Sequence, residues 1–209
     1  MSNTQLDIRV YPIDNPINKV FAFASVTVDN MVAINGIRVN AGERGLFVSM
    51  PQSKDRNDNY HDTAFPISSD LRKEINQAVL KEYNYMARLN PSQRKYNAPN
   101  KMPDNDSINK NVEIDVKVHP INNPGNNLLA YANVVLNDKV AISGIRIIDS
   151  ERDPFVSMPQ SKDKENKYHD IAFPVTGDLR KELSQAILEE YYSLERNQYE
   201  MDELEEMEI

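Results

Sequence analysis

Cysteine and tryptophan are both missing from this chain of 209 residues. Without cysteine there is no disulfide framework, no thiol nucleophile, no cysteine-ligated zinc and no iron–sulfur cluster. Long apolar runs are missing too: nothing approaches the roughly 18 consecutive apolar residues of a membrane span. The opening MSNTQLDIRV lacks the apolar segment of a signal peptide. A cytoplasmic protein with no membrane association is the expectation. What is present suffices for a core, since 40% of residues are hydrophobic and 27% charged. The net charge of −8 weighs against a nucleic-acid partner only if it is spread over the whole chain, so it has to be counted by segment.

An internal duplication organises the sequence. Val48–Asp55 and Val156–Asp163 both read VSMPQSKD. A constant shift of 108 aligns Asp7–Met86 with Asp115–Leu194 without a gap, and 43 of the 80 aligned positions are identical. Chance does not produce such agreement, and the chain is two copies of one domain. The division is copy 1 over 6–88, a linker over 89–113, copy 2 over 114–196 and an acidic tail over 197–209. The linker is rich in Asn and holds Pro91, Pro99 and Pro103, which break helix and strand alike. A flexible chain of that length reaches about 30 Å, a tether that holds two domains at an effective concentration of order millimolar.

The charge is uneven. Residues 7–88 carry ten bases and ten acids, residues 115–196 carry ten and thirteen, and the tail has six acids and no base. The tail reads as a disordered, solubilising end. The alternative is an autoinhibitory mimic that competes with nucleic acid for basic surface.

Within a copy, Asp7–Ile13 alternates as a half-buried strand should, with a turn at Asp14-Asn15-Pro16. Val20–Val28 is β-branched and aromatic, and Asp29-Asn30 reverses it into Met31–Val39. Leu46–Val48 reads as a fourth strand and Tyr60–Phe65 as a fifth. The polar stretch between them, QSKDRNDN, reads as an exposed, mobile loop. From Ser68 the period changes: Leu71, Ile75, Val79, Tyr83 and Met86 form a helical apolar face. Ser68 or Asp70, and Thr176 or Asp178 in copy 2, can cap that helix. The expected fold is α+β: two tandem copies of a small antiparallel sheet with a C-terminal helix, paired as an intramolecular pseudo-dimer. A core of about 80 residues is small, and burying surface between copies would help it.

The ordered series IRVNAGERGLFVSMPQSK, YHDTAFPISSDLRKEINQAVLKEY resembles the SpoVG family of bacterial sporulation and septation regulators. The resemblance covers about three quarters of the chain. It implies a dimeric α+β domain that binds DNA and RNA, regulates gene expression and has no enzymatic activity or cofactor. The chain departs from the family pattern in places. Gln52 is inserted into M-P-S-K, and Asp55 follows Lys54. His61 and His169 stand for Arg, and Phe65 and Phe173 for His. In copy 2, Asp153-Pro154 replaces Gly45-Leu46, which removes a strand donor and ends pairing early. The basic surface is weaker than the family pattern implies.

The candidate nucleic-acid contacts are Arg72, Lys73, Arg180 and Lys181 in the first turns of the two helices, with Lys54 and Lys162 in loops. Adjacent cations on an exposed helix face can meet phosphates, and two such patches can meet successive backbone segments. The bland alternative is a solvated face, with Asp70 and Glu74 flanking the first pair. No basic stripe with interleaved aromatics is evident, so no stacking platform is expected. Arg38 and Arg146 face a ligand or, the preferred reading, pair with a carboxylate such as Asp62. Tyr60-His61-Asp62 recurs as Tyr168-His169-Asp170. A triad of Ser49 or Ser53 with His61 and Asp62 fails because adjacent strand residues point to opposite faces. One His per copy gives no recognisable metal spacing. His119, where copy 1 has Tyr11, reads as an edge-strand substitution. The expected function is therefore a nucleic-acid-binding regulator with DNA or RNA as partner. The alternative is a protein-interaction module that kept the fold without that partner.

Overall fold

Adjacent Asn and Asp residues tolerate the left-handed backbone that a tight hairpin needs, and the chain reverses direction on them. The computed structural model describes residues 4–55, 57–94, 112–121, 126–163 and 165–207. In it Asp29 and Asn30 both have φ of 51°, and Asn137 and Asp138 both have φ of 50°. The Met31 N–H closes the first turn on the Val28 carbonyl at 2.9 Å, and the Lys139 N–H closes the second on the Leu136 carbonyl at 2.9 Å. In copy 1 the turn follows β1 (Leu6–Ile17) and β2 (Val20–Val28) and leads into β3 (Val32–Gly42) and β4 (Gly45–Ser49).

The turn expected at Asp14–Pro16 lies elsewhere. β1 continues to Ile17, a register shift between Pro12 and Ile17 absorbs those residues, and Asn18 and Lys19 make the reversal with φ of 53° and 64°. The stretch QSKDRNDN is not a bare loop. It contributes β5 (Gln52–Lys54), which pairs with β6 (Tyr60–Asp62). The expected strand Tyr60–Phe65 divides at Thr63, and its second part is β7 (Ala64–Pro66).

Copy 2 repeats the order as β8 (Ile114–Pro120), β9 (Leu128–Leu136), β10 (Val140–Ile148), β11 (Phe155–Ser157), β12 (Gln160–Lys162), β13 (Tyr168–Asp170) and β14 (Ala172–Pro174). β11 has three residues where β4 has five, as expected of Pro154, which brings no N–H to the ladder.

The break at Thr63 lets each copy lend a strand to the other. β7 pairs antiparallel with β10, Ala64 opposite Ile142. β14 pairs with β3, Ala172 opposite Ile34. Backbone bonds flank each exchange: Ser143 N–H to Thr63 O at 2.8 Å, and Asn35 N–H to Ile171 O at 2.7 Å. Each five-stranded sheet thus contains one strand of the other copy. The core follows suit. Val26, Val28, Ile34, Leu136 and Ile142 are fully buried in one cluster that spans both copies. The expected pseudo-dimer is realised by reciprocal strand exchange.

Two helices complete the α+β units, α1 (Ser69–Arg88) and α2 (Gly177–Met207). Of the two capping candidates in each copy, the structure uses the hydroxyl. Ser68 Oγ accepts from Leu71 N–H at 3.1 Å, and Thr176 Oγ1 accepts from Leu179 N–H at 3.2 Å. Leu71, Ile75, Val79 and Met86 are buried along α1, and Leu179, Leu183, Ile187 and Tyr191 along α2. α2 runs on to Met207, where the sequence reading expects a disordered end. The segment is rich in Glu, Leu and Met, which are good helix formers. Most of the linker lies outside the described residues. Its start forms a 3₁₀ turn at Pro91–Gln93, and Arg94 donates to Asp14 at 2.6 Å.

Candidate nucleic-acid interface

In the β5–β6 ribbon Gln52 stands opposite Asp62, Ser53 opposite His61 and Lys54 opposite Tyr60. Strand alternation therefore gathers Gln52, Lys54, Tyr60 and Asp62 on one face, and Ser53 and His61 on the other. On the first face Asp62 accepts from Gln52 Nε2 at 2.9 Å and from Arg72 Nη2 at 3.0 Å. Arg72 belongs to the first turn of α1, so the carboxylate ties ribbon to helix. Its guanidinium also lies 5.9 Å from the centre of the Phe65 ring. Next along the face, Lys54 Nζ sits 5.3 Å from the centre of the Tyr60 ring, within cation–π range.

Copy 2 rebuilds this face residue for residue. Asp170 accepts from Gln160 Nε2 at 2.8 Å and from Arg180 Nη2 at 2.8 Å, and Lys162 Nζ lies 4.9 Å from the Tyr168 ring centre. Tyr60 and Tyr168 are 63% and 61% exposed, so each lysine lies over a ring that is open to a further partner.

Each predicted contact thus takes a distinct place. Arg72 and Arg180 are half exposed and held by carboxylates, so they join ribbon to helix and have other guanidinium donors left over. Lys73 pairs with Asp70 at 3.3 Å and Lys54 with Asp58 at 2.9 Å, both at exposed positions where such pairs are weak. Lys162 and Lys181 make no ion pair among the described residues. The copy with the more negative charge therefore carries the less encumbered lysines.

Asp62, the carboxylate proposed for Arg38, is occupied by Arg72. Arg146 instead donates to Ser157 Oγ at 3.1 Å. Tyr60 under Lys54 and Tyr168 under Lys162 are aromatic–basic pairs that the charge pattern alone does not single out. The readable signal was period-two alternation on either side of an Asn/Asp loop. It was hidden because each strand has only three residues.

The opposite face carries the histidines. His61 Nε2 lies 2.9 Å from Asp55 Oδ2, and His169 Nε2 lies 2.7 Å from Asp163 Oδ2. Asp55 Oδ1 also accepts the N–H groups of Asn57 and Asn59, at 2.8 and 2.9 Å. The bond from His61, with those amides, lowers the Asp55 carboxyl to about 2. The bond from His169, followed by the Lys167 amide, lowers Asp163 likewise. These side chains build the tip of the ribbon as an Asx turn, and His61 faces Asp55, not Asp62. Among the described residues no group of three or more His, Asp or Glu gathers to hold a metal. No helix among them is long and apolar enough to cross a membrane.

Comparison with known proteins adds to this geometry. The SpoVG family model matches residues 3–85 and again 112–193. A relative in Finegoldia magna, named "Putative septation protein SpoVG", is 45% identical over 84 residues, covering 40% of this chain and 75% of the relative. A relative of the same name in Borreliella burgdorferi strain ZS7 is 39% identical over 79 residues, 37% of this chain and 81% of the relative. One in Thermoanaerobacter sp. strain X514 is 42% identical over 77 residues, 37% of this chain and 83% of the relative. Each relative thus corresponds to about one copy.

Proposed function

This chain belongs to the SpoVG family, and we propose that it is a regulator of gene expression that binds DNA or RNA through the two ribbon faces. The relatives are named septation proteins, and control of septation or sporulation is the cellular role assigned with it. One observation carries the reading. The same lysine-on-tyrosine face, tied to a helix by the same Gln–Asp–Arg chain, occurs once in each copy. Strand exchange joins the two faces within one molecule, so they can meet successive segments of one backbone. Lys54, Lys73, Lys162 and Lys181 supply exposed charge, while Arg72 and Arg180 hold the ribbons in place and reach phosphate with their remaining N–H groups. Copy 1 pairs with copy 2 inside the chain, and no membrane is involved.

Fluorescence anisotropy on DNA and RNA oligomers, from low salt upward, tests the proposal. Affinity should fall steeply with salt, with a log–log slope of about −3 if four lysines each displace a counterion. Lysine-to-glutamate changes at 162 and 181 should weaken binding about tenfold or more. The same changes at 54 and 73, whose charges are already matched, should weaken it less. Unchanged affinity in the fourfold variant would remove the site, and no binding at low salt would remove the function. A protein-interaction module would instead show a nuclease-insensitive partner.

A further inference from the structure

Away from the ribbons, each sheet has an outward face with an unexpected row of side chains. In copy 1, Tyr11 stands opposite Phe23, Phe23 opposite Arg38, and Arg38 opposite Ser49, across all four strands β1 to β4. In copy 2, His119, Tyr131, Arg146 and Ser157 form the same row across β8 to β11. One step along, Phe47 stands opposite Asn40, and Phe155 opposite Ile148. The alternate residues Val10, Ala24 and Val39 are buried, which fixes this side as the outer one. The rings are open: Phe23 is 45% exposed, Phe47 50%, Tyr131 39% and Phe155 47%.

We propose that these two outward sheet faces are stacking platforms for a single-stranded nucleic acid. The inference deepens the nucleic-acid reading above and rests on it. Strands lie about 4.8 Å apart, so a four-strand row spans about 14 Å, room for two or three unstacked bases. An unpaired base offers its flat face to an aromatic ring, whereas a duplex hides that face in its own stack. Charge fits the same occupant. Arg38 stands next to Phe23 in the copy 1 row and makes no ion pair among the described residues, so its guanidinium can take a phosphate or cover a base. Arg146 holds the same place in the copy 2 row and, among the described residues, makes no ion pair but donates to an uncharged hydroxyl, Ser157 Oγ. An exposed Tyr–Phe pair can also serve only to stabilise the sheet, and the test has to separate that use from binding.

The full chain is titrated at low salt into a fluorescein-labelled 12-nucleotide single strand and into the matching duplex. Joint change of Phe23→Ala and Tyr131→Ala should lower single-strand affinity at least tenfold and leave duplex affinity within about twofold. The ring-preserving pair Phe23→Tyr and Tyr131→Phe should retain both. A strand carrying 2-aminopurine should lose emission on binding the unaltered chain, a readout that does not depend on the alanine variants folding. A bound strand without that quenching, or alanine variants that bind the single strand as before, would overturn the platform and leave the ribbon faces standing. Failure to bind either form at low salt would overturn both readings together.

Discussion

Copy 1 and copy 2 agree on their ribbon faces and disagree where they meet. At the central turn copy 1 has Asp29, Asn30 and Met31, and copy 2 has Asn137, Asp138 and Lys139. Lys139 Nζ donates to Asp29 Oδ2 at 2.5 Å, with side chains only 24% and 12% exposed. In the reciprocal contact Asn137 Nδ2 meets Met31 Sδ at 3.4 Å. Copy 1 paired with another copy 1 would set Asp29 against Met31, leaving a largely buried carboxylate without its cation. Copy 2 paired with another copy 2 would set Lys139 against Asn137, leaving an ammonium in the same difficulty. Only the mixed pair satisfies both turns, so divergence after duplication favours pairing of unlike copies.

The sharpest way to break this comparison is through the shared core. If strand exchange makes one cooperative unit, Ile34→Ala in copy 1 and Ile142→Ala in copy 2 should each cost about 2–5 kcal/mol. Each should lower a single melting transition, because the two side chains sit in one cluster. Calorimetry that resolved two transitions, with only one moved by each change, would show two independent domains.

The next effect is smaller and tests the choice of partner. Lys139→Met, which makes the turn of copy 2 resemble that of copy 1, should cost about 2 kcal/mol by leaving Asp29 unpaired. Lys139→Asp should cost more, and adding Asp29→Lys should recover much of the loss. Sedimentation of the unaltered chain should give one species of 23.9 kDa. A stable dimer at low concentration would mean that the copies pair between chains.

Much of this architecture could be read directly from the residues. Val20–Val28 is a strand in the bounds its β-branched pattern indicates, and the helix begins at Ser69, just after its cap Ser68, because the apolar period and the cap agree. The strand exchange could not be read. A three-residue strand such as Ala64–Pro66 has no period to detect. Its partner segments, Ala33-Ile34 and Ala141-Ile142, are identical in the two copies, so only three-dimensional packing decides which copy it joins. The site divides in the same way. Its lysines announce themselves as charge, whereas the bond from Arg72 to Asp62 links a helix to a ribbon ten residues earlier. A count of net charge misleads as well, since it cannot tell Lys54, matched by Asp58, from Lys162, which has no matching carboxylate among the described residues.

The smallest expected effect tests whether the two ribbon tips remain equivalent. Both Asp55 and Asp163 are held below the ordinary carboxylate range by a histidine and backbone amides. A carboxylate with a depressed folded-state pKa stabilises the fold above its unfolded value, and that contribution disappears as pH falls through the folded value. For Asp55 the window runs from about 4 down to about 2. The amide resonances of Asn57 and Asn59 should shift across that window while the core resonances stay put. Those of Glu165 and Lys167 should move in the same direction in copy 2. His61→Ala removes the largest cause and should raise the copy 1 midpoint toward the ordinary value without moving that of copy 2. If both midpoints moved together, the tips would be coupled through the exchanged strands, and the copies would be joined at their surfaces as they are in their core.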